Sequence, residues 1–146
     1  MMRLTKYLFC VLSLFFVVGC SSLKINIAEF ESMLDNKLDH MIKISENELT
    51  NIYGIDLAAF KEYTFKRSYT EPSNIYVLVL PSDSNRQAKK EVNKFFEYLE
   101  KYSSNTDKKR IKNRYVKSID DYFVFLVTDN NKELYKEIKE NLMKDN

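Results

Sequence analysis

Glycine and proline are scarce in this chain of 146 residues, two of each, and tryptophan is absent. So little glycine excludes a loop that cradles phosphate with its backbone, and it excludes a calcium loop, whose bend needs glycine among several oxygen ligands. The single histidine, His40, has no second imidazole to complete a zinc site or a catalytic constellation, so a surface histidine is expected. No serine stands in the sharp turn of a nucleophile elbow. Charge of one sign is lacking too, with 23 basic against 21 acidic side chains. The longest apolar run, Tyr7 to Val18, falls short of the roughly 18 residues that a bilayer-spanning helix requires.

What is present begins at the N-terminus. Arg3 and Lys6 precede that apolar run and the small Gly19 follows it, which is the order of an export signal. Val17-Val18-Gly19-Cys20 resembles the lipobox of bacterial prolipoproteins, in which the peptide is cut before the cysteine and that cysteine takes the lipid. The resemblance implies residues 1–19 as a lipoprotein signal peptide and Cys20 as the lipidation site. It places the protein on the extracytoplasmic face of a cell membrane, held by a diacylglyceride; two acyl chains are what stable anchoring takes. Cys10 is a poor rival because bulky Phe9 precedes it. Processing would remove Arg3 and Lys6 and leave the charges balanced, so the calculated pI of 8.4 argues for no nucleic-acid partner. Processing also takes Cys10 and lipidation occupies Cys20, so no disulfide, thiol nucleophile or thiolate metal site is expected. The core alone must then hold the exported domain together.

Residues 20–26 read as the lipidated cysteine and a short tether, and 27–146 as one α+β domain. Ile27, Phe30, Leu34, Leu38, Met41 and Ile42 recur at helical steps, predicting one helix that includes His40. Ser45 with Glu48 forms a capping box for a short helix stopped by Gly54, and Asp56 caps a further turn. Tyr63, Phe65, Arg67 and Tyr69 alternate with polar residues as a half-exposed strand does. Glu71-Pro72-Ser73-Asn74 is turn chemistry, and Ile75 to Leu80 is an apolar run suited to a central strand ended by Pro81. Ser84 with Gln87 opens a long helix whose apolar stripe is Ala88, Val92, Phe95, Phe96, Leu99 and Tyr102. Ser103 to Arg114 is polar and predicted irregular. Two strands around Asp120-Asp121 and a closing helix carrying Leu134, Ile138 and Leu142 complete the chain. The strand-cap-helix segments after Ile75 and after Tyr122 echo each other. The expected architecture is N-terminal helices, then two ββα units forming a mostly antiparallel sheet with helices on one face.

Tyr53-Gly54-Ile55-Asp56, the lipobox, the apolar strand leading into a long helix, and Tyr115 before the last hairpin together resemble a family of short bacterial lipoproteins. That family is a domain of unknown function found mainly in Gram-positive anaerobes. The resemblance covers roughly residues 45–142. The chain departs from the family pattern in lacking a proline after Tyr115 and in carrying Asp120-Asp121 where a glycine-containing turn is common. The family has no established active site, so the resemblance transfers no functional residue.

Asp83, Asp120, Asp121 and Asp129 stand at turns and helix starts, where a carboxylate caps orphan N–H groups. The aromatic face of Tyr63, Phe65 and Tyr69 is expected in the core or at a sheet edge. Lys108, Lys109, Arg110, Lys112 and Arg114 form the densest charge cluster; they are either a solvated stretch or a contact with anionic headgroups or wall polymers. No catalytic residue, cofactor or metal ligand is picked out. The expected function is a membrane-anchored, non-enzymatic binding or structural module. The alternatives are an envelope hydrolase or modifying enzyme using carboxylates, and an accessory or inhibitor subunit of a membrane complex.

Overall fold

Two continuous apolar runs, Ile75 to Leu80 and Tyr122 to Val127, set the centre of the molecule. The computed structural model describes residues 22–71 and 74–144. The predicted signal peptide, Cys20 and the Pro72-Ser73 turn lie outside them. In chain order the elements are α1 (Ile27–Asp35), β1 (Met41–Lys43), α2 (Glu46–Asn51), a 3-10 turn (Leu57–Ala59), β2 (Phe60–Ser68) and β3 (Ile75–Pro81). They continue with α3 (Asn85–Tyr102), α4 (Asn105–Lys112), β4 (Tyr115–Ile119), β5 (Tyr122–Val127) and α5 (Asn131–Lys144). The five strands form one antiparallel sheet in the order β1-β2-β3-β5-β4.

β3 and β5 are central and buried on both sides. Ile75, Val77, Val79, Phe123, Phe125 and Val127 face a cluster that includes Ala88, Val92, Phe95, Phe96 and Leu99 of α3, Ile111 of α4 and Leu49 of α2. Tyr76, Leu78, Tyr122, Val124 and Leu126 face the opposite cluster, built with Phe30 and Leu34 of α1 and Leu134 and Ile138 of α5. Helices therefore cover both faces, which corrects the expectation of one covered face. The strand sequences carry the reason: a run apolar at every position must bury both sides. The echo between the two halves ends there too, since Ile75 and its counterpart Tyr122 look into opposite faces.

Local capping follows the sequence closely. The Ser45–Glu48 capping box is formed in both directions, and Asp56 and Ser84 cap their elements. Gly54 sits at φ +66°, the left-handed region that suits glycine. The two-residue turn between Ile119 and Tyr122 is present, with Asp120 at φ 51°. Three expectations are corrected. The first helix ends at Asp35, and Met41–Lys43 is an edge strand paired with Lys66–Ser68, which leaves Ile42 44% exposed. Tyr102, the last residue of α3, is 65% exposed and packs on the ring of Tyr98 one turn earlier, with ring centres 4.6 Å apart, rather than in the core. The stretch after Ser103 is not irregular: Ser104 accepts from the N–H of Asp107 as an N-cap, basic residues fill the last turn of α4, and Ile111 anchors it in the core.

Candidate functional site

The basic cluster predicted from sequence lies on and just after α4, where its members diverge. Arg110 donates to Asn74 Oδ1 at 3.2 Å and to Asp129 Oδ1 at 2.8 Å. Arg114 donates to Glu100 Oε1 at 3.3 Å and Asn93 Oδ1 at 3.1 Å, and its guanidinium lies 4.8 Å from the centre of the Phe96 ring. Both arginines are thus fasteners between α4 and the rest of the fold. Lys109 and Lys112 are exposed and Lys108 is half-buried. Of the five, these three lysines are the ones left to form a basic surface on α4.

A polar network that the alternation pattern missed joins α1 to the sheet. Thr64, Lys66 and Ser68 look like the solvent side of β2, yet they are 0%, 8% and 1% exposed. Tyr76 Oη donates to Asp35 Oδ1 at 2.8 Å, and Asp35 also pairs with Lys66. Thr64 donates to Glu31, which in turn holds Lys43 at 2.8 Å. Burial alone would raise the Glu31 pKa, but the bonds from Lys43 and Thr64 and the nearby positive charges outweigh it, so the carboxyl is held below its ordinary range. The signal was present in the sequence as Glu31 and Asp35, one helical turn apart on α1. A second internal group centres on Glu91, which accepts from the Asp56 N–H, Gln87 and Lys94 and fixes α3 to the Asp56 turn. Among the described residues no buried side-chain nitrogen or oxygen lacks a hydrogen-bond partner, and both groups tie a helix to its neighbours, so both serve the fold.

A concavity of about 350 Å³ opens at one end of the sheet, where β2 ends, β3 begins and β5 gives way to α5. Asp39, Glu71, Asp129, Glu133 and Glu137 line it together with Lys37. Three of these carboxylates are engaged: Glu137 with Lys37, Asp129 with Arg110, and Glu71 with Asn74 at 2.9 Å. All five are exposed. Among the described residues, no group of histidine, cysteine, aspartate or glutamate side chains is arranged to hold a metal. His40 stands beside this end at φ 54°, its Nδ1 3.0 Å from Tyr69 Oη.

The opposite end of the sheet receives the N-terminal segment. Leu23 N–H donates to Asp120 Oδ2 at 2.5 Å in the β4–β5 turn. Ile25 N–H donates to Tyr122 Oη at 3.3 Å, and Tyr122 Oη donates to Glu62 at 2.8 Å. Burial and the Glu62 bond push the Tyr122 phenol up to about 12. Ile25 is fully buried among the residues of the α1–α5 face, and Leu23 packs against them. The expected tether is thus part of the fold from Leu23 onward. Cys20 lies outside the described residues. Among the described residues no helix is long and apolar enough to cross a membrane. No protein-family model matches the chain, and no match is found among curated proteins or solved structures.

Proposed function

We propose that this chain is a lipid-anchored protein of the bacterial envelope, held by Cys20 to the extracytoplasmic face of the cell membrane, and that its domain is a non-enzymatic binding or structural module. One observation carries the reading: the lipobox ends at Cys20, and by Leu23 the backbone is already bonded to the β4–β5 turn. Fold and anchor are nearly contiguous, as suits a domain kept at the membrane surface. The resemblance to short bacterial lipoproteins supports the same reading. Its Tyr53-Gly54-Ile55-Asp56 step serves the fold here, with Tyr53 and Ile55 in the core and Asp56 as a cap.

The building blocks we assign are two ββα units, β2-β3-α3 and β4-β5-α5, joined along β3 and β5. The antiparallel pairing of those two strands supports this division. The acidic cleft and the α4 lysines belong to the end of the sheet remote from the docked N-terminus. We assign both to partner binding: the cleft to a cationic group, and Lys108, Lys109 and Lys112 to an anionic wall polymer or protein rather than the anchoring leaflet. A carboxylate-dependent hydrolase would have to use that cleft. Its uniformly exposed carboxylates are better suited to matching a positive charge than to keeping one acid protonated beside an ionised partner.

The test is metabolic labelling with palmitate in a bacterial host, comparing the native chain with Cys20→Ala. The native chain should incorporate label and sediment with membranes after a high-salt wash, and the variant should lose the label. A variant that keeps both label and membrane association would overturn the reading.

A further inference from the structure

We infer that the end of the sheet carrying the Leu23–Asp120 contact rests on the headgroup layer of the leaflet that holds the Cys20 lipid, with Lys24, Lys139 and Met143 as its contact residues. This rests on the lipoprotein reading above and adds to it an orientation and a surface. The argument is one of reach. Two residues, Ser21 and Ser22, separate Cys20 from Leu23, and the three steps between them span at most about 11 Å at full extension. Leu23 is bonded to Asp120, and Ile25 is fixed in the core. The lipid therefore draws this end of the domain, and no other, to the bilayer.

The surface it brings there has the right chemistry. Ser22, Lys24, Ser118, Asp120, Lys139 and Met143 surround a shallow groove of about 670 Å³. Met143 is 61% exposed, and Lys24 and Lys139 are exposed beside it. Two ammonium groups at the rim can meet lipid phosphates while the thioether chain of Met143 enters the interfacial layer. Asp120, the carboxylate of this groove, accepts the Leu23 N–H. The α4 lysines are excluded from the same contact. They lie on the other face of the sheet, and Arg110 of α4 binds Asp129, which follows the far end of β5. At a strand rise of roughly 3.3 Å per residue, that end is on the order of 20 Å from Tyr122.

The experiment uses the full chain, expressed and processed in a bacterial host and reconstituted into vesicles of neutral and anionic phospholipid. Processing removes Cys10 and lipidation blocks Cys20, so Met143→Cys and Lys109→Cys each supply one thiol for a fluorescent label. Vesicles containing a headgroup-bound quencher should quench the label at 143 at least threefold more than the label at 109. Asp120→Gly, which keeps the turn's left-handed backbone but removes the acceptor, should bring that ratio towards one. Equal quenching at 143 and 109 in a protein that carries palmitate would overturn the orientation and leave the anchor intact. Absence of palmitate from the native chain would overturn both. A ratio unchanged by Asp120→Gly would show that Leu23 docking does not set the orientation.

Discussion

Tyr76 Oη donates to Asp35 Oδ1 at 2.8 Å, linking the fully buried tyrosine of the central strand to the last residue of α1. Asp35 also neutralises Lys66, whose side chain is only 10% exposed, so one carboxylate serves two buried partners. Asp35→Ala would leave an ammonium and a hydroxyl without that partner. Because Asp35 is itself partly exposed, the cost should fall near the low end of the range for breaking a buried pair, about 3 kcal/mol. Asp35→Ala combined with Lys66→Met should recover part of the loss, since Asp35→Ala leaves the buried ammonium with only its 3.8 Å pairing to Glu31 and the second change removes that charge. Urea midpoints of the three proteins check this; a double variant less stable than the single one would refute the pairing.

On the other face, Phe96 stacks on Phe125 with ring centres 5.8 Å apart, and Arg114 covers its outer side. Phe96→Ala should cost about 3–5 kcal/mol. Tyr102→Ala, at the exposed end of the same helix, should change stability by less than about 0.5 kcal/mol. Thermal or urea unfolding distinguishes them.

Among the basic residues on and after α4, the structure predicts two classes. Lys109→Gln and Lys112→Gln should be within about 0.5 kcal/mol of the native protein. Arg114→Ala removes bonds to α3 as well as a cation–π contact and should cost about 2 kcal/mol, because charged hydrogen bonds contribute more than neutral ones. Equal stabilities for all three variants would place Arg114 in solvent.

Stability should fall on both sides of neutrality, for opposite reasons. The carboxyls of Glu31 and Glu48 are held below their ordinary 4.5, Glu31 despite burial through its Lys43 and Thr64 bonds, and Glu48 by the Ser45 backbone and hydroxyl bonds. Their stabilising effect is present above the unfolded value and is lost as pH falls through the folded one, from about pH 5 downward. The phenols of Tyr63 and Tyr122 are raised from 10.0 to about 12, first by burial and then by Glu46 and Glu62 respectively. Their contribution is complete below 10 and disappears as pH climbs towards 12. Urea midpoints across pH and the ultraviolet absorbance of phenolate measure the two limbs. Tyr122→Phe should remove part of the alkaline limb only.

Local chemistry was legible in the chain itself. Ser45 with Glu48, Gly54, Asp56, Ser84 and the Asp120-Asp121 turn all act through neighbours a few residues away, so side-chain type and spacing suffice to place them. The apolar runs Ile75 to Leu80 and Tyr122 to Val127 were equally legible as strands, because continuous apolar runs bounded by turns have few other solutions, although β3 runs on through Pro81, which pairs with Phe60. Tertiary structure decided what depends on distant partners. Alternation alone puts Thr64, Lys66 and Ser68 on the solvent side of β2, but α1 carries Glu31 and Asp35 across them and makes a polar face an interior one. Ile111 is a single apolar residue in a charged stretch; it specifies a helix only once the core is there to receive it. The docking of Leu23 on Asp120 spans 97 residues of sequence, a pairing that no local pattern encodes and that folding alone brings about.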